Sequence, residues 1–358
     1  MNLRTNMKTV AVAGITVALA MTAVTSAHAA KRVKWKMQNA WGATVPHLGT
    51  SAKRFVDNVS AITDKGFQIK NFEPGALVPA LECFDAVSKG AIESCWTTPG
   101  YHAGKHPAAS FFTSVPFGPG VGEYLAWKWF GNGNKLREEL YNKHDLTAMD
   151  SFCIGPETSG WFKKPIKELS ELKGFKMRFF GLGAKVMTKI GVSTQLLAGA
   201  DIYPALEKGV IDATEFSMPT MDINLGFYQI AKNNYFPGWH QQTSCSELLM
   251  NKSKFDALPA VYKTALEVAL NDTVIHTYAE TEAKNFGAMQ TMQEKHGVVV
   301  HRWRDDQLAV LEKTWNDVVE EESAKDAYFK KVADDFYAFR KAYSIWGNAQ
   351  RMESTYLK

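Results

Sequence analysis

The order of hydrophobic and polar residues near the N-terminus predicts alternating strands and helices. VKWKMQN (33–39) and FQIKNF (67–72) alternate apolar with polar residues, which is typical of half-buried strands. The stretches 48–66 and 77–90 place apolar residues at helical spacing and each ends in glycine. AIESCW (91–96) then follows as a third strand. This order favours a parallel sheet with right-handed crossovers.

The same alternation resumes after a loop-rich stretch and a helix that we expect around residues 123–144. The later predicted strands are LTAMDSFCI (146–154), GWFKKP (160–165), FKMRFF (175–180), VSTQLL (192–197) and VIDATEF (210–216). Two helices are predicted between the last three of these strands, AKVMTKIG (184–191) and IYPALEKG (202–209). The second half of the pattern therefore predicts a second sheet with its own helices.

Two short stretches repeat the same residues at equivalent places in these two sets. AVSKGAIES (86–94) and ALEKGVIDA (205–213) each follow a short helix and lead into a strand. Gly90 and Gly209 are predicted to take the left-handed conformation that ends a helix, and the lysine before each suits the negative helix end. Two related lobes that face one cleft would explain the repeat.

The C-terminal third has few strands and long helical patterns. Residues 259–297 hold one helical pattern, with Pro259 at its start and Gly297 just past its end. Apolar residues near the terminus then step by three and four, namely Phe329, Val332, Phe336, Phe339, Tyr343 and Trp346. A stripe of this width has to be covered, either by the chain's own lobes or by a second subunit.

The first 30 residues have the pattern of an export signal. Arg4 and Lys8 precede an apolar run, and Ala27 and Ala29 form the Ala-x-Ala pattern that signal peptidases cleave. The alternative, a membrane helix, needs about 20 apolar residues, and this run is shorter. We therefore expect the segment to be removed and the mature protein to be soluble in the periplasm.

The charge of the mature chain excludes some classes of partner. Of the 41 Lys and Arg residues, Arg4 and Lys8 leave with the signal, so 39 (41 minus 2) face 37 Asp and Glu. A chain this close to neutrality is not expected to bind nucleic acid or an anionic membrane surface. Its length, roughly 330 residues, exceeds the 250 to 300 at which single cores stop growing, so two lobes are expected.

The chain has four cysteines, and their spacing does not indicate a metal or redox site. Cys83, Cys95, Cys153 and Cys245 form no Cys-x-x-Cys pair. Export to an oxidising compartment permits disulfides. The sequence leaves open whether the four pair with one another or stay as buried thiols.

Signatures of common enzymes are absent from the sequence. It contains no Gly-x-Ser-x-Gly elbow, no phosphate-binding Gly-x-x-x-x-Gly-Lys-Ser/Thr loop and no His-Glu-x-x-His motif. His102 and His106 stand four apart, but Gly104 and Pro107 make their segment a loop and not a metal-binding helix. Catalysis is therefore not the function that the sequence favours.

Isolated charges at predicted strand ends are the better candidates for a binding site. Arg178 lies in FKMRFFG, and its planar fork suits a carboxylate, although a structural salt bridge would explain it equally well. Glu215 and Glu157 could together coordinate a hard cation, or each could be a solvated loop acid. Nearby aromatic residues could wall a pocket or belong to the core: Trp96, Tyr101, Phe216 and Trp239.

Taken together, these stretches resemble the solute-binding proteins of tripartite ATP-independent periplasmic (TRAP) transporters. The resemblance rests on FEPGALVPALECFDAVSKGAIESCW, GWFKKPI, LKGFKMRFFGLGAKVMTKIGV, ADIYPALEKGVIDATEF and FPGWHQQT, which follow in order over nearly the whole mature chain. It is strongest with the subgroup that binds 2-oxo and 2-hydroxy monocarboxylates together with a metal ion.

The resemblance implies an α/β clamp of two lobes, with mostly parallel sheets, long C-terminal helices and the ligand between the lobes. We expect the first part of lobe I in residues 31–150 and lobe II in 151–240. Residues 241–300 would return to lobe I and form a long helix, and 301–358 would form C-terminal helices that can exchange between the subunits of a dimer.

The resemblance also implies roles for individual residues. Arg178 would pair with the carboxylate of the solute. From their positions in the sequence alone, Tyr101, Trp96 and Trp239 are candidates for further contacts with the solute. Glu215, the backbone carbonyl of Phe216 and the side chain of Glu157 would bind a metal ion, with Gln241 nearby as a further ligand.

Related proteins carry Gln at the position of Glu157, and the additional negative charge favours Ca²⁺ over Na⁺. Alternatively, Glu157 accepts a hydrogen bond from a different solute and no metal binds. Arg178 would keep its role in both cases.

The expected function is the capture of a small organic carboxylate, favouring a 2-oxo or 2-hydroxy acid, and its delivery to the large and small TRAP membrane subunits. No catalytic residue is expected. A carboxylate sensor with the same clamp and a metal-assisted periplasmic enzyme with Glu157 as base are the alternatives. The sequence does not identify the carboxylate, the metal or the oligomeric state.

Overall fold

The computed structural model describes residues Lys31–Met352, so the predicted export signal in residues 1–30 lies outside the described part of the chain. Eleven strands occur in this part: β1 (Val33–Asn39), β2 (Phe67–Phe72), β3 (Ser94–Thr97), β4 (Leu146–Ile154), β5 (Gly160–Phe162), β6 (Lys176–Arg178), β7 (Ser193–Gln195), β8 (Ala213–Thr214), β9 (Asn233–Phe236), β10 (Ser244–Asn251) and β11 (Val299–Arg302).

The strands form two sheets, and each sheet with its helices makes one lobe. Lobe one has the strand order β2-β1-β3-β10-β4, and lobe two has the order β11-β9-β5-β8-β6-β7. In each sheet one strand runs against all the others, β10 in lobe one and β5 in lobe two. The chain enters each of these two strands through a short segment that crosses between the lobes, whereas it reaches β11 of lobe two through a long helix. The mostly parallel two-lobed α/β fold that the sequence predicted is confirmed.

Eleven α-helices accompany the strands of the described chain: α1 (Leu48–Ile62), α2 (Cys83–Ser88), α3 (Val121–Phe130), α4 (Gly133–Tyr141), α5 (Gly181–Lys189), α6 (Gly199–Glu207), α7 (Pro219–Leu225), α8 (Lys252–Asp256), α9 (Ala260–His296), α10 (Asp305–Lys325) and α11 (Ala327–Ala349). Short 3₁₀ turns occur at Ala80–Glu82, Pro99–His102, Pro107–Phe112, Asn142–His144, Leu169–Leu172 and Phe227–Gln229.

Several elements differ from the expectations, because β9, β10 and β11 were not predicted and β5, β6 and β7 are shorter than predicted. The helix that we expected around residues 123–144 is two helices, α3 and α4, because the chain breaks at Gly131, where a side chain would collide with the carbonyl oxygen of Trp127. The strand that we expected over 210–216 contains only Ala213 and Thr214. Beyond Thr214 the chain leaves the sheet. The next residue, Glu215, accepts a hydrogen bond from Arg178 through its carboxylate.

The long helix α9 connects the two lobes. It packs against β4 and α1 in lobe one and against α7 in lobe two. Gly297, which follows its last residue, has a φ of 65°, as expected for a residue that ends a helix in the left-handed conformation. None of the helices within residues 31–352 is both long enough and apolar enough to cross a membrane.

The C-terminal helices divide between the lobes, because α10 packs on α5 of lobe two and α11 on α3 and α4 of lobe one. The predicted stripe on α11 is buried only in its first half. Phe329, Val332 and Phe336 are fully buried, with Phe329 and Phe336 in edge contact with the ring of Phe111. Ile345 and Trp346 remain exposed. Phe339 and Tyr343 are partly buried, so the chain's own lobe covers the first half of the stripe fully, the next two positions in part, and leaves Trp346 open.

The two Lys-Gly stretches form the same local structure. Gly90 and Gly209 have φ angles of 69° and 71°, the left-handed region that the repeat predicted. In both, the residue after glycine donates its N–H to the carbonyl five positions back, over 2.9 Å in each case. This bond is the mark of the Schellman helix end, so the repeat is confirmed as two equivalent junctions, one in each lobe.

The four cysteines form two disulfides, Cys83–Cys95 and Cys153–Cys245. Of the two states that the sequence left open, the structure therefore has the paired one. The second disulfide joins neighbouring positions of β4 and β10, the lobe-one strands that lie next to both crossings between the lobes.

Candidate functional site

Two short crossing segments, residues 155–159 and 237–243, carry the chain between the lobes and lie side by side. The N–H of Glu157 donates to the carbonyl oxygen of Gln241 over 3.1 Å. Gly238 lies so close to the backbone of Glu157 that a side chain there would collide with it. This close approach explains why the PGW motif needs glycine, and it fixes Glu157 and Gln241 next to each other at the base of the cleft.

A small cavity lies in the cleft above the crossing segments, and both lobes contribute to its wall. Its volume is about 30 Å³, room for one or two water molecules. The lining side chains are Trp41, Leu48, Thr98, Tyr101, Phe152, Ile154, Ser244 and Ser246 from lobe one, Arg178, Phe180, Phe216 and Ser217 from lobe two, and Glu157 and Gln241 from the crossing segments. Phe180 of lobe two packs against Gly100 and Tyr101 of lobe one, so the lobes are in contact across the cleft.

Several residues in and beside the cavity wall follow the junctions that the two Lys-Gly stretches begin. The strand after the first stretch, β3, leads to Thr98 and Tyr101, and the strand after the second, β8, leads to Glu215, Phe216 and Ser217. Both strands point their carboxyl ends at the cleft, where ligands of open α/β sheets bind. The two junctions therefore supply different side chains to opposite walls of one cavity.

Arg178 ends strand β6 and is buried in the wall of the cavity, with 1% of its surface exposed. Its Nη1 donates to the carboxylate of Glu215 over 2.7 Å and to the carbonyl oxygen of Glu215 over 2.8 Å. Its Nε donates to the carbonyl of Leu197 over 3.3 Å. Within residues 31–352, Nη2 makes no hydrogen bond. The ion pair that the sequence left open is present, and one edge of the guanidinium remains for a ligand.

Glu157 is buried beside this pair. Its Oε1 accepts a hydrogen bond from the hydroxyl of Ser217 over 3.2 Å, whereas its Oε2 has no hydrogen-bond partner in the described chain. Asp222 lies behind Ser217 and holds its position, because the Asp222 carboxylate accepts bonds from the Ser217 N–H and the Trp161 indole.

His240 completes a buried cluster with Glu157 and Glu215, and the sequence analysis did not single it out. Its Nε2 lies 3.4 Å from Oε2 of Glu215 and 4.0 Å from Oε2 of Glu157. One ligand atom from each of the three residues lies within 4.8 Å of the others. Neither nitrogen of His240 and neither Oε2 atom has a hydrogen-bond partner among the described residues. The signal in the sequence was its place directly after the PGW motif.

The charges in the site affect one another. Burial, followed by the charges of Glu215 and Asp222, raises the pKa of Glu157 well above its usual value. Burial also acts to raise the pKa of Glu215, but the Arg178 guanidinium and His240 outweigh it and hold that pKa below the usual value. Burial and the charge of Glu215 raise the pKa of Asp222 to about 7. The site therefore holds more carboxylate groups than its single guanidinium can balance.

The structure separates the aromatic candidates into two groups. Tyr101 and Phe216 line the cavity, and the Phe216 ring also lies 5.3 Å from the Arg178 guanidinium. Trp96 is instead in the core of lobe one, where its indole donates to the carbonyl of Leu48. Trp239 is also buried, between the rings of Phe117 and Phe179, and neither indole is part of the cavity wall. For these two tryptophans the structure favours the core placement that the sequence left open.

A second pocket adjoins the cavity on its outer side. It has a volume of about 530 Å³ and shares Trp41 and Phe216 with the cavity wall. Residues from both lobes line it, among them Pro79 and Ala80 from lobe one and Leu225 from lobe two. The two shared rings therefore stand between the buried cavity and the wider part of the cleft.

Two lobes joined by crossing segments, with a polar cavity between them, define the class of bacterial solute-binding proteins that close on a ligand. Residues 39–326 match the family described as bacterial extracellular solute-binding protein, family 7. The chain belongs to this family, and the resemblance to TRAP solute-binding proteins is thereby confirmed.

A similar curated protein is the monocarboxylate 2-oxoacid-binding periplasmic protein of Nostoc sp. PCC 7120. It is 33% identical over 98% of this chain and 97% of its own length. A weaker match is the C4-dicarboxylate-binding periplasmic protein DctP of Rhodobacter capsulatus, 26% identical over 44% of this chain and 47% of its own length.

Solved structures of TRAP solute-binding proteins share the fold. The Bordetella bronchiseptica protein, a mixed-occupancy dimer with copurified calcium and picolinate, is 31% identical. Its TM-score is 0.87 over 89% of this chain and 95% of its own. The Pseudoalteromonas atlantica protein, with bound sodium and pyruvate, is 27% identical, with a TM-score of 0.86 over 89% of this chain and 97% of its own. These relatives are binding proteins, so the expectation of a binding protein and not an enzyme is confirmed.

Proposed function

We propose that this chain captures a small organic monocarboxylate in the periplasm and delivers it to TRAP membrane subunits. The observation that carries the proposal is the buried guanidinium of Arg178, which has one edge free in the wall of a cavity that both lobes enclose. A carboxylate matches this edge through charge-assisted hydrogen bonds. The name of the Nostoc relative, a 2-oxoacid-binding protein, supports a 2-oxo acid as the solute.

The mechanism that fits this site is closure on the solute. A solute that touches Arg178 and Phe216 of lobe two and Tyr101 of lobe one makes all its contacts only when the lobes are together. Such a ligand binds the closed form better than the open form and shifts the population toward it. The closed form is then the one that the membrane subunits would recognise.

A metal ion fits the site beside the solute. Glu157 and Glu215 each have a buried carboxylate oxygen without a hydrogen-bond partner in the described chain. The side-chain oxygen of Gln241 is also buried without such a partner. Unpartnered buried oxygens are rare in proteins, and oxygen atoms are the ligands that Ca²⁺ takes. These three side chains, with the carbonyl of Phe216, would hold the ion, which would supply positive charge next to the solute carboxylate.

The charge balance favours a divalent ion. A bound cation offsets the burial and the neighbouring charges that raise the pKa of Glu157, so Glu157 and Glu215 would both be ionised beside it. With the Arg178 guanidinium, these two carboxylates leave one unbalanced negative charge. A divalent cation together with a monocarboxylate brings the buried group to neutrality, whereas Na⁺ with the same solute leaves one negative charge. Because buried net charge is costly, we expect Ca²⁺ to bind better than Na⁺.

A homodimer through α11 is part of the proposal. The exposed end of this helix carries Ile345 and Trp346, of which 80% and 60% is exposed. Apolar side chains at the end of a long helix are suited to contact a second copy, and the Bordetella bronchiseptica relative is a dimer.

The proposal is tested by thermal unfolding of the mature protein with a panel of 2-oxo, 2-hydroxy and dicarboxylic acids, with and without EDTA and Ca²⁺. A solute at 100 times its Kd adds about 2.7 kcal/mol to the free energy of unfolding. We expect Arg178→Lys, which keeps the charge but loses the planar fork, to weaken solute binding roughly 10- to 100-fold.

The matched control is Arg137→Lys, since Arg137 is a buried, ion-paired arginine of lobe one outside the cavity wall. It should lower stability and leave the Kd for the solute unchanged. If no carboxylate raises the melting temperature, or if Arg178→Lys binds the solute as the parent does, the proposed function is wrong.

A further inference from the structure

We infer that His240 is a metal ligand and makes this site prefer divalent ions that accept nitrogen, such as Zn²⁺, over Ca²⁺. The inference rests on the proposed function, because it concerns the same metal position. It goes further because it names a nitrogen ligand, and with it a preference among metal ions that the oxygen ligands alone would not produce.

The first argument is the state of the His240 ring. The side chain is fully buried, and among residues 31–352 neither of its nitrogens has a hydrogen-bond partner. Buried imidazoles in proteins nearly always have a partner for at least one nitrogen. Phe179 and Trp239 hold the ring by edge contacts, with centroids 4.9 and 5.6 Å away. The packing therefore fixes the ring without satisfying its polar atoms.

The second argument is distance. Nε2 of His240 lies 3.4 Å from Oε2 of Glu215 and 4.0 Å from Oε2 of Glu157. Two atoms that bind one Zn²⁺ ion at about 2.1 Å each are at most about 4.2 Å apart. Both measured distances fall below this limit. One ligand atom from each of the three residues lies within 4.8 Å of the others, so side-chain shifts of a few tenths of an ångström would bring all three onto a common ion.

The third argument is the chemistry of the three ligands. Imidazole is a preferred ligand of Zn²⁺, Cu²⁺ and Ni²⁺, whereas Ca²⁺ takes oxygen ligands almost exclusively. Three protein ligands are also the usual number at zinc sites that keep a fourth position open for a further ligand. Here Glu157 also lines the cavity, so a solute oxygen could occupy that open position.

The alternative role for His240 is a hydrogen bond to Glu215 that only positions the carboxylate. In that case the ring would affect all cations alike, because it would act through an oxygen ligand. The two roles therefore differ in metal selectivity and in whether nitrogen is bound to the ion, and both properties can be measured.

The experiment measures the affinity of EDTA-treated mature protein for Zn²⁺, Mn²⁺ and Ca²⁺ by titration calorimetry. For the parent we expect one ion per chain and a Kd for Zn²⁺ at least 100-fold lower than for Ca²⁺. In His240→Gln the Kd for Zn²⁺ should rise at least 30-fold, while the Kd for Ca²⁺ should change less than threefold. Equal losses for Zn²⁺ and Ca²⁺, or no loss, would overturn the inference.

The matched control is His102→Gln. His102 is also buried, has no hydrogen-bond partner for either nitrogen in the described chain, and lies 3.5 Å from a single carboxylate, that of Glu247. It should leave the affinities for all three ions unchanged. If Zn²⁺ binding falls in this variant and not in His240→Gln, the zinc ion is bound elsewhere and the inference fails.

A spectroscopic measurement on the parent protein does not depend on the folding of any variant. Pulsed electron paramagnetic resonance of one equivalent of bound Cu²⁺, an ion that takes imidazole ligands, detects the remote ¹⁴N nucleus of a coordinated imidazole. We expect this signal, and Cu²⁺ bound without it would overturn the inference. Solute binding measured in Ca²⁺ separates the two proposals: if it persists while selectivity for Zn²⁺ is absent, the proposed function stands and this inference does not.

Discussion

The two lobes each bury a charged cluster, and the clusters differ in how their carboxylates are satisfied. In lobe one, Asp150 accepts hydrogen bonds from Lys128 and Arg137 on Oδ1 and from the indole of Trp129 on Oδ2. In the site, Glu157 and Glu215 each keep one oxygen without a hydrogen-bond partner among the described residues. One carboxylate lies between two cations in the first cluster, and two carboxylates share one cation in the second.

This difference distinguishes a structural cluster from a binding site. The carboxylate in lobe one has partners on both oxygens and faces two cations, so it needs no further cation, although Nε of Arg137 has no hydrogen-bond partner in the described chain. The cluster in the cleft lacks positive charge and hydrogen-bond donors, and a cation supplies what it lacks. Burial alone does not separate the two, because both clusters are almost completely buried.

The largest expected effect comes from breaking the satisfied cluster. Asp150→Asn removes the negative charge and leaves Lys128 and Arg137 buried without it, so the free energy of unfolding should fall by about 3–5 kcal/mol. Urea unfolding of the mature protein measures this change. The control is Asp85→Asn, since Asp85 forms an exposed pair with Lys105 and exposed pairs contribute less than about 1 kcal/mol. Equal effects of the two substitutions would contradict the comparison.

A smaller effect is expected from acid. Burial acts to raise the pKa of Asp150, but the charges of Lys128 and Arg137 outweigh it and lower that pKa from its ordinary 3.8 to about 2. A depressed pKa stabilises the fold above the unfolded-state value, and this contribution is lost as pH falls from about 4 to about 2.

The loss should amount to about 2 kcal/mol. The difference in unfolding free energy between the parent and Asp150→Asn, measured at pH 6, 4, 3 and 2, should shrink over this interval. A difference that stays constant down to pH 2 would show that the carboxylate is not held in its charged form by the two cations.

The smallest effect on stability is expected in the site. Glu157→Gln keeps an oxygen near the metal position and removes one of two neighbouring carboxyl groups, so the free energy of unfolding should change by less than about 1 kcal/mol, in contrast to Asp150→Asn. The affinity for divalent cations should fall at least tenfold, because one charged ligand is lost. Calorimetric titration with Ca²⁺ measures the change in affinity. A loss of stability as large as that of Asp150→Asn would contradict the distinction between the two clusters.

Much of the fold could be predicted because it depends on local patterns. The alternation of β1 and β2, the glycines after α2 and α6 and the stripe of α11 are all set by residues that are close in sequence. The pairing of Cys153 with Cys245 could not be predicted in this way, since the two residues meet only because β10 runs antiparallel to β4. The direction of a strand that follows a lobe crossing is not encoded in its own residues.

The site was predicted in part for the same reason. Arg178 and Glu215 lie at the ends of neighbouring strands, β6 and β8, so a parallel sheet brings them together. Glu157 and His240 come from the two crossing segments, and their meeting depends on the close approach at Gly238. Trp96 and Trp239 could not be assigned to the site or to the core from the sequence, because whether a residue near a strand end faces the core or the cleft depends on tertiary contacts.

The Cys153–Cys245 disulfide has a mechanical consequence. It crosslinks β4 and β10 immediately before one crossing segment and after the other, so both connections start from a single rigid anchor in lobe one. If the lobes close on a solute as proposed, the bending has to occur in the few residues on either side of Glu157 and Gln241, in helix α9 and in the link between α10 and α11. The proposed metal ligands Glu157 and Gln241 would then lie in the hinge itself, and a bound ion would stiffen the joint on which the second lobe turns.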